Sequence, residues 1–389
     1  MAGLRKLFVI GWALALTAFP AAAQEQPASG GQSVPATVAS DVYNRGQSAL
    51  NAGEYARAAL DFSLYILLNP TVAPAYYARG LSYFQLDDVA RAQQDLTRAL
   101  RYAAPNPEFV AQVYNLRALT YLRQEDVEAA LADLQAGIDA APDAPTPYLT
   151  RADLLAATGR LEEALADYDR ALELDATAAG ALAGRAAVQQ QLGRPEAALA
   201  DYNRLVELAP NSPEALFRRA GAQIALEQFA AAEADLSRAI QLSPATPALY
   251  LSRAYVRGRL TDQAGQAADY LEWTRLIGDQ PSDEAPLAPG ESRVVQLSAG
   301  AVYRFPFEAA AGQVIQLAAT ALPDSTTDPL LVLLDPNGAP AAGDDDGGSG
   351  LNAQIAEYTI LQDGIYTAVV SHAGGSPDGP VRVLLRVVR

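Results

Sequence analysis

Residues 145–178 read PTPYLTRADLLAATGRLEEALADYDRALELDATA, and residues 179–212 read AGALAGRAAVQQQLGRPEAALADYNRLVELAPNS. Laid over one another, these two 34-residue stretches agree at a few fixed places: Arg151 and Arg185 at the seventh, Ala152 and Ala186 at the eighth, Ala164 and Ala198 at the twentieth, Asp167 and Asp201 at the twenty-third, Tyr168 and Tyr202 at the twenty-fourth. The frame continues through 213–246 and 247–280. It also runs back to copies at 39–72, 73–106 and 111–144, the last following a four-residue insertion that begins at Pro107. Seven copies at a fixed period of this size predict stacked helical hairpins, an all-α solenoid over 39–280.

Within a copy, places 4, 7, 8 and 11 share one helical face and places 20, 23, 24 and 27 share another, because residues three and four apart are neighbours on a helix. Between the two runs lies a turn, marked by Gly53, Gly159 and Gly193 in three copies and by polar residues in the rest. Small residues at the eighth place, starting with Gly46, Gly80 and Ala118, let two helices approach closely. Pro70, Pro142, Pro210 and Pro244 stop the second helix, since proline lacks the amide donor that continues the ladder. A hairpin of this kind buries its apolar face only by stacking on the next.

Two places carry a charge pattern that the period alone does not require. The seventh is Arg45, Arg79, Arg117, Arg151, Arg185, Arg219 and Arg253; the twenty-third is Asp61, Asp95, Asp133, Asp167, Asp201, Asp235 and Asp269. Both places lie on packing faces, where an unpaired charge is costly, and they stand at about the same height in an antiparallel hairpin. The expected arrangement is a ladder of structural Arg–Asp pairs; a ligand-binding row of arginines is the alternative.

The small eighth place, Tyr83 and Tyr121 at the eleventh, alanine at the twentieth, an aromatic or leucine at the twenty-fourth and the closing proline resemble the tetratricopeptide repeat family. Gln266 and Gly278 depart from the pattern in the seventh copy, which suits a terminal cap. The resemblance implies a superhelix whose concave face, built from the second, fifth, ninth and twelfth places, holds peptides or protein partners. In this sequence those places supply Tyr43, Gln47, Tyr77, Leu81, Phe84, Asn115, Leu122, Leu149, Asp153, Gln190, Phe217, Ile224, Leu251 and Tyr255. Such a lining is apolar and aromatic with a few amides, unlike the basic clamp of some family members. It suits an extended or helical peptide.

Upstream, Arg5 and Lys6 precede an uncharged apolar run from Leu7 to Phe19, and Pro20 with Ala21, Ala22 and Ala23 completes a secretory signal and its cleavage site. Residues 1–23 are therefore expected to be removed, leaving an extracytoplasmic protein, periplasmic or secreted, with no inserted segment. An uncleaved anchor is the alternative, since Leu7 to Ala23 sits at the lower edge of a bilayer span. Residues 24–38 read as a disordered lead-in. The formal charge of -17 argues against nucleic acid or an anionic membrane surface as a partner, and the absence of cysteine leaves packing alone to hold the fold.

After a linker at 281–291, rich in proline and carboxylates, the apolar period changes from 3.6 to 2. Seven short segments, Arg293 to Leu297, Val302 to Phe307, Val314 to Ala319, Leu330 to Leu334, Ile355 to Ile360, Ile365 to Val370 and Val381 to Val387, predict an all-β antiparallel sandwich over 292–389. The motifs Asp335-Pro336-Asn337-Gly338, Asp344-Asp345-Asp346-Gly347-Gly348, Leu351-Asn352 and Asp363-Gly364-Ile365-Tyr366 resemble, in that order, the bacterial pre-peptidase C-terminal domain. This is a jelly-roll-like module of exported proteins. Asp344, Asp345 and Asp346, joined by Asp328 or Asp335, could ligate calcium; a solvated acidic loop is the plainer reading, so no cofactor is expected.

Catalytic patterns are scarce. His372 is the sole histidine, no cysteine nucleophile is present, and neither a nucleophile elbow nor a phosphate loop occurs. The expected function is an exported, non-catalytic scaffold that binds a protein or peptide in the solenoid groove. The rival is an accessory protein that binds carbohydrate or the cell envelope through its sandwich, with the solenoid as a spacer.

Overall fold

A computed structural model describes residues 36–277, 281–323, 325, 327–345, 352–375 and 378–389. The expected signal peptide, most of the lead-in and Asp346 lie outside them. The chain divides into two compact units, 1–193 and 194–389.

The first unit contains nine described helices: α1 (Ala36–Asn51), α2 (Tyr55–Leu68), α3 (Ala73–Gln85), α4 (Val89–Tyr102), α5 (Pro107–Arg123), α6 (Val127–Ala140), α7 (Pro145–Ala157), α8 (Leu161–Leu174) and α9 (Ala179–Gln191). Prolines set helix starts as well as stops. Pro occupies the first turn of α3, α5 and α7, where the missing amide costs nothing, while Asp88, Asn106 and Asp126 cap α4, α5 and α6 by accepting the amides of Arg91, Phe109 and Ala129. The hairpin turns share one device across both units. Place 15 is left-handed in every copy, as glycine at Gly53, Gly159 and Gly193 and as Asp87, Glu125, Glu227 and Thr261 elsewhere, with φ of 61°, 61°, 56° and 62°.

Inside each hairpin the twentieth and twenty-fourth places form the seam. Ala58, Ala92, Ala130 and Ala164 are fully buried, on the same helical face as the buried Phe62, Leu96, Leu134 and Tyr168 one turn on. A Cβ added to Gly46 would come within 3.2 Å of the Phe62 ring, and one added to Gly80 within 3.2 Å of Leu96, which is why the eighth place stays small.

The second unit continues with α10 (Pro195–Leu208), α11 (Pro213–Ala225), α12 (Phe229–Leu242), α13 (Pro247–Arg259) and α14 (Gln263–Ile277). These lead into nine strands: β1 (Ser282–Asp283), β2 (Ser292–Leu297), β3 (Tyr303–Ala309), β4 (Val314–Ala321), β5 (Thr327–Leu334), β6 (Pro340–Asp344), β7 (Ala353–Thr359), β8 (Gly364–Gly375) and β9 (Gly379–Val387). They form two sheets, β1-β3-β8-β5-β6 and β2-β9-β4-β7, antiparallel apart from the β1/β3 pair. The sandwich core includes Leu297, Phe305, Phe307, Ile315, Leu317, Leu331, Leu333, Tyr366, Val381 and Leu385.

Two expectations need correction. The supposed linker at 281–291 is stitched into the sandwich: the amides of Ser282, Glu284 and Leu287 donate to the carbonyls of Val302, Arg304 and Pro306, and Leu287 is buried in the core. The edge strand β6 is additional to the seven expected segments. Its sequence, PAAGD, has no β-branched or aromatic residue, and pairing with β5 rather than intrinsic propensity makes it a strand.

The outer face of the five-stranded sheet is covered by α14. Leu330, Val332 and Leu334 on β5 and Val369 and Ala373 on β8 pack in one cluster with Ala267, Tyr270 and Trp273. A Cβ on Gly343 of β6 would lie 3.0 Å from the Ala267 backbone, so glycine there lets helix and strand meet. Gly343→Val should therefore destabilise the second unit by about 1 to 3 kcal/mol, the usual cost of overpacking, as read by urea denaturation.

Thr261 gives a second test. A β-branched residue in the left-handed region is strained by about 1 kcal/mol. Thr261→Gly should raise stability by somewhat less than that, because glycine also loosens the unfolded chain, whereas Gly159→Ala should lower it by about 1 kcal/mol.

Candidate functional site

The Arg–Asp ladder forms in the six copies for which the pair can be described. In five of them Nε and Nη2 of the arginine grip the two carboxylate oxygens: Arg79–Asp95, Arg117–Asp133, Arg151–Asp167, Arg219–Asp235 and Arg253–Asp269, with Nε–O distances of 2.7, 2.7, 2.6, 2.6 and 2.9 Å. In the first copy Nε and Nη2 of Arg45 both reach Oδ1 of Asp61, leaving Oδ2 without a hydrogen bond. The carboxylates are buried, while the Arg79 and Arg253 side chains are 14% exposed and Arg45 is 50% exposed. For Arg117 and Arg151 the bond to the aspartate holds the guanidinium's pKa above its ordinary value.

The third arginine nitrogen does something the period did not announce. Nη1 of Arg79 donates to Ser63, of Arg117 to Thr97, of Arg151 to Gln135, of Arg185 to Asp169, of Arg219 to Asn203 and of Arg253 to Ser237. All six acceptors stand at place 25 of the preceding copy. In the seventh copy, which no further arginine follows, that place is Leu271, packed against the apolar cluster around α14. The tyrosine at the fourth place adds to the joint: its ring lies under the guanidinium of Arg79, Arg117, Arg151 and Arg253 at 5.5 to 6.0 Å, and the hydroxyls of Tyr76, Tyr148 and Tyr250 donate to Pro70, Pro142 and Pro244 of the copy before. The arginine at the seventh place is thus committed to holding copies together.

The groove places divide into two groups. Tyr43, Leu81, Phe84 and Asn115 are buried, so their reading as open lining is corrected. Tyr43 packs edge-on against Phe62 and Tyr65, Phe84 lies under the Arg123 guanidinium, and the buried Asn115 Oδ1 has no hydrogen-bond partner. Local contacts explain the miss: Tyr43 is covered by Phe62 and Tyr65 of its own copy, and Phe84 by Arg123 of the next. Gln47, Tyr77, Leu122, Leu149 and Gln190 in the first unit and Phe217, Ile224 and Leu251 in the second remain partly exposed, and Tyr255 is exposed. Tyr77 rests edge-on against Phe109, and burial pushes its hydroxyl up to about 12.

Asp153 behaves unlike its neighbours. Its Oδ1 accepts the Tyr168 hydroxyl at 2.5 Å, and burial raises its pKa to about 6, the tyrosine bond opposing that rise.

In the C-terminal acidic loop, Asp344 accepts the Gln354 amide at 2.6 Å, and Tyr270 of α14 has its hydroxyl's pKa raised by burial and then by the Asp345 carboxylate. Asp335 caps its own hairpin, accepting the amides of Asn337 and Ala339. Among the described residues no three acidic or histidine side chains gather as a metal would require. His372 accepts the Gly300 amide at Nε2 and stands edge-on to Trp273 at 5.5 Å.

Models of two repeat families match the helical region, one described as TPR repeat over residues 152–193 and one as tetratricopeptide repeat over 77–145 and 182–247. The helical hairpins over residues 77–145 and 152–247 thus match tetratricopeptide repeats. Solved structures of tetratricopeptide repeats are similar in fold. The C-terminal part of a TPR repeat-containing protein from Cytophaga hutchinsonii is 15% identical, with 60% of this chain and 95% of that one covered at a TM-score of 0.50. A tetratricopeptide repeat protein from Parabacteroides merdae is 18% identical, with 62% and 93% covered at 0.45. YrrB, described as a TPR protein with an unusual peptide-binding site, is 22% identical, with 45% and 88% covered at 0.36. No curated protein sequence matches the chain significantly. Among the described residues no helix is long and apolar enough to cross a membrane.

Removing Arg79 would strand a buried Asp95, so Arg79→Ala should cost about 3 to 5 kcal/mol. Arg45→Ala, at the half-exposed first rung, should cost about 1 kcal/mol or less. Chemical denaturation of both variants beside the parent checks the contrast.

His372 supplies a pH test. Burial lowers its pKa in the folded chain, outweighing the opposing charge of Asp378, so the unfolded state takes up a proton first as pH falls below about 6.5. Stability of the second unit should be full near pH 7 and decline towards pH 5.5 in the parent, but not through this route in His372→Gln. Trp273, the one tryptophan beyond residue 23, reports the transition by fluorescence.

Proposed function

We propose that this chain is an exported, non-catalytic scaffold whose tetratricopeptide repeats hold a protein or peptide partner. The observation that carries the reading is the contrast between two sets of residues on the same helices. The charged seventh place is consumed by the ladder, whereas Leu149, Phe217, Ile224, Leu251 and Tyr255, at the places the repeat family uses for ligands, keep apolar surface open to solvent. Partly exposed apolar and aromatic side chains at regular helical spacing suit a polypeptide better than a small polar metabolite. Export rests on the amino-terminal sequence: the basic pair, the apolar run and the alanine-rich site.

The sandwich, read as a module of the pre-peptidase C-terminal type, has a structural task within this proposal. Its five-stranded sheet covers the apolar side of the last helix, which would otherwise be bare. Binding of carbohydrate or envelope material by the sandwich is the second reading, favoured by Arg382 and Arg386 on the exposed side of β9. Removing residues 281–389 cannot separate the two readings cleanly, because it would uncover Tyr270 and Trp273 and unsettle the repeats themselves.

Point variants are the better instrument. Protein recovered from an expressing bacterium should begin at Gln24 and fractionate outside the cytoplasm. That protein, immobilised and exposed to the extracytoplasmic fraction, should retain a polypeptide that Phe217→Glu/Leu251→Glu loses while its melting temperature stays near the parent's. Retention that survives this double variant but disappears in Arg382→Ala/Arg386→Ala, or binding only to purified cell-wall polysaccharide, would move the function to the sandwich.

A further inference from the structure

The concave places of the first unit carry a single charge. Places 2, 5, 9 and 12 of α1, α3, α5, α7 and α9 are otherwise apolar, amide, hydroxyl or glycine positions, and Asp153 of α7 is the one ionisable carboxylate among them. It is held by design of the local packing. The Tyr168 side chain is almost fully buried, and its hydroxyl donates to Asp153 Oδ1. The ring can reach only because Gly184 of α9 has no side chain: a Cβ there would lie 2.5 Å from the tyrosine hydroxyl.

Among the described residues no arginine is bonded to this carboxylate. Burial is the larger influence on it and the Tyr168 hydroxyl the only opposing one, which leaves its pKa at about 6. Every seventh-place arginine with a described pair has an aspartate of its own, and none of the described hydrogen bonds or ion pairs links a cation to Asp153. Next to it, α9 offers stubs where other copies carry bulk: Gly180, Ala183 and Ala187 stand at places 2, 5 and 9, against Tyr77 and Leu81 at places 5 and 9 of the second copy. An anion half-withdrawn from water, beside a helix face of glycine and alanine on which Leu149 rests, lacks one cation.

We propose that the first unit recognises a polypeptide through a lysine or arginine side chain seated on Asp153, with apolar residues of the same segment resting on Leu149 and Leu122. This rests on the peptide-binding reading above and specifies its chemistry. The cation's bond to Asp153 would be charge-assisted and partly desolvated, the setting in which one ion pair discriminates between ligands. A neutral side chain in the same place would leave the carboxylate uncompensated.

A phage-displayed library of random dodecapeptides, selected on protein comprising residues 24–389, tests the proposal. Peptides retained by the parent should be enriched in lysine or arginine at one fixed distance from an apolar residue. A synthetic peptide from that pool should bind Asp153→Asn about tenfold more weakly. Asn keeps an acceptor for the Tyr168 hydroxyl, so its melting temperature should stay close to the parent's, and its own selected pool should lose the basic enrichment. Asp153→Lys should turn the preference towards aspartate and glutamate. A parent pool without basic enrichment overturns the proposal whatever the variants do, and so does a basic preference that Asp153→Asn retains; either result leaves the groove reading standing. Failure of the parent to enrich any peptide overturns both.

Discussion

A guanidinium that bonds in two directions holds the repeats together. The arginine at the seventh place closes its own hairpin on a buried aspartate and also reaches back to a polar side chain of the preceding copy. Planar geometry makes this possible: two nitrogens match a carboxylate while the third points elsewhere, an arrangement no lysine could reproduce. A solenoid has only nearest-neighbour contacts, so within each unit a repeated joint of this kind ties one copy to the next. Apolar packing supplies most of the stabilisation, while the ladder specifies the register in which that packing occurs.

Much of this was legible in the sequence because helical repeats write their contacts at fixed intervals. The helices, the turn at place 15 and the partnership of places 7 and 23 all follow from aligning copies. Place 25 was equally written, as Ser63, Thr97, Gln135, Asp169, Asn203 and Ser237, but its residues share only polarity and the ability to accept a hydrogen bond. Identity is easy to see down a column; a shared chemical capacity is not. The four buried groove residues differ from this expectation for another reason, since helical spacing gives the face of a residue and not which side chains of its own or a neighbouring copy fold over it.

In the sandwich the most informative stretch was the one that failed to alternate. Pro329 to Leu334 reads PLLVLL, and a strand with one wet face would not. Leu331 and Leu333 enter the sandwich core, while Leu330, Val332 and Leu334 meet α14. The run thus encoded the covering of the sheet by a helix. Conversely, β6 and the β1 segment carry almost no strand signal, because pairing partners elsewhere in the chain impose their conformation. The tight contact of Gly343 with Ala267 lies beyond any local pattern, as it depends on two residues far apart in sequence.

The covered face of α14 bears on how such arrays grow. Tandem repeats lengthen by duplication, and each added hairpin needs a free apolar flank and an acceptor for its arginine. Here the flank is occupied by a sheet, and Leu271 has replaced the acceptor. The C-terminal end of the array is therefore sterile: neither a duplicated hairpin nor the leading hairpin of another molecule finds a place to stack there, and the number of copies is fixed from that side.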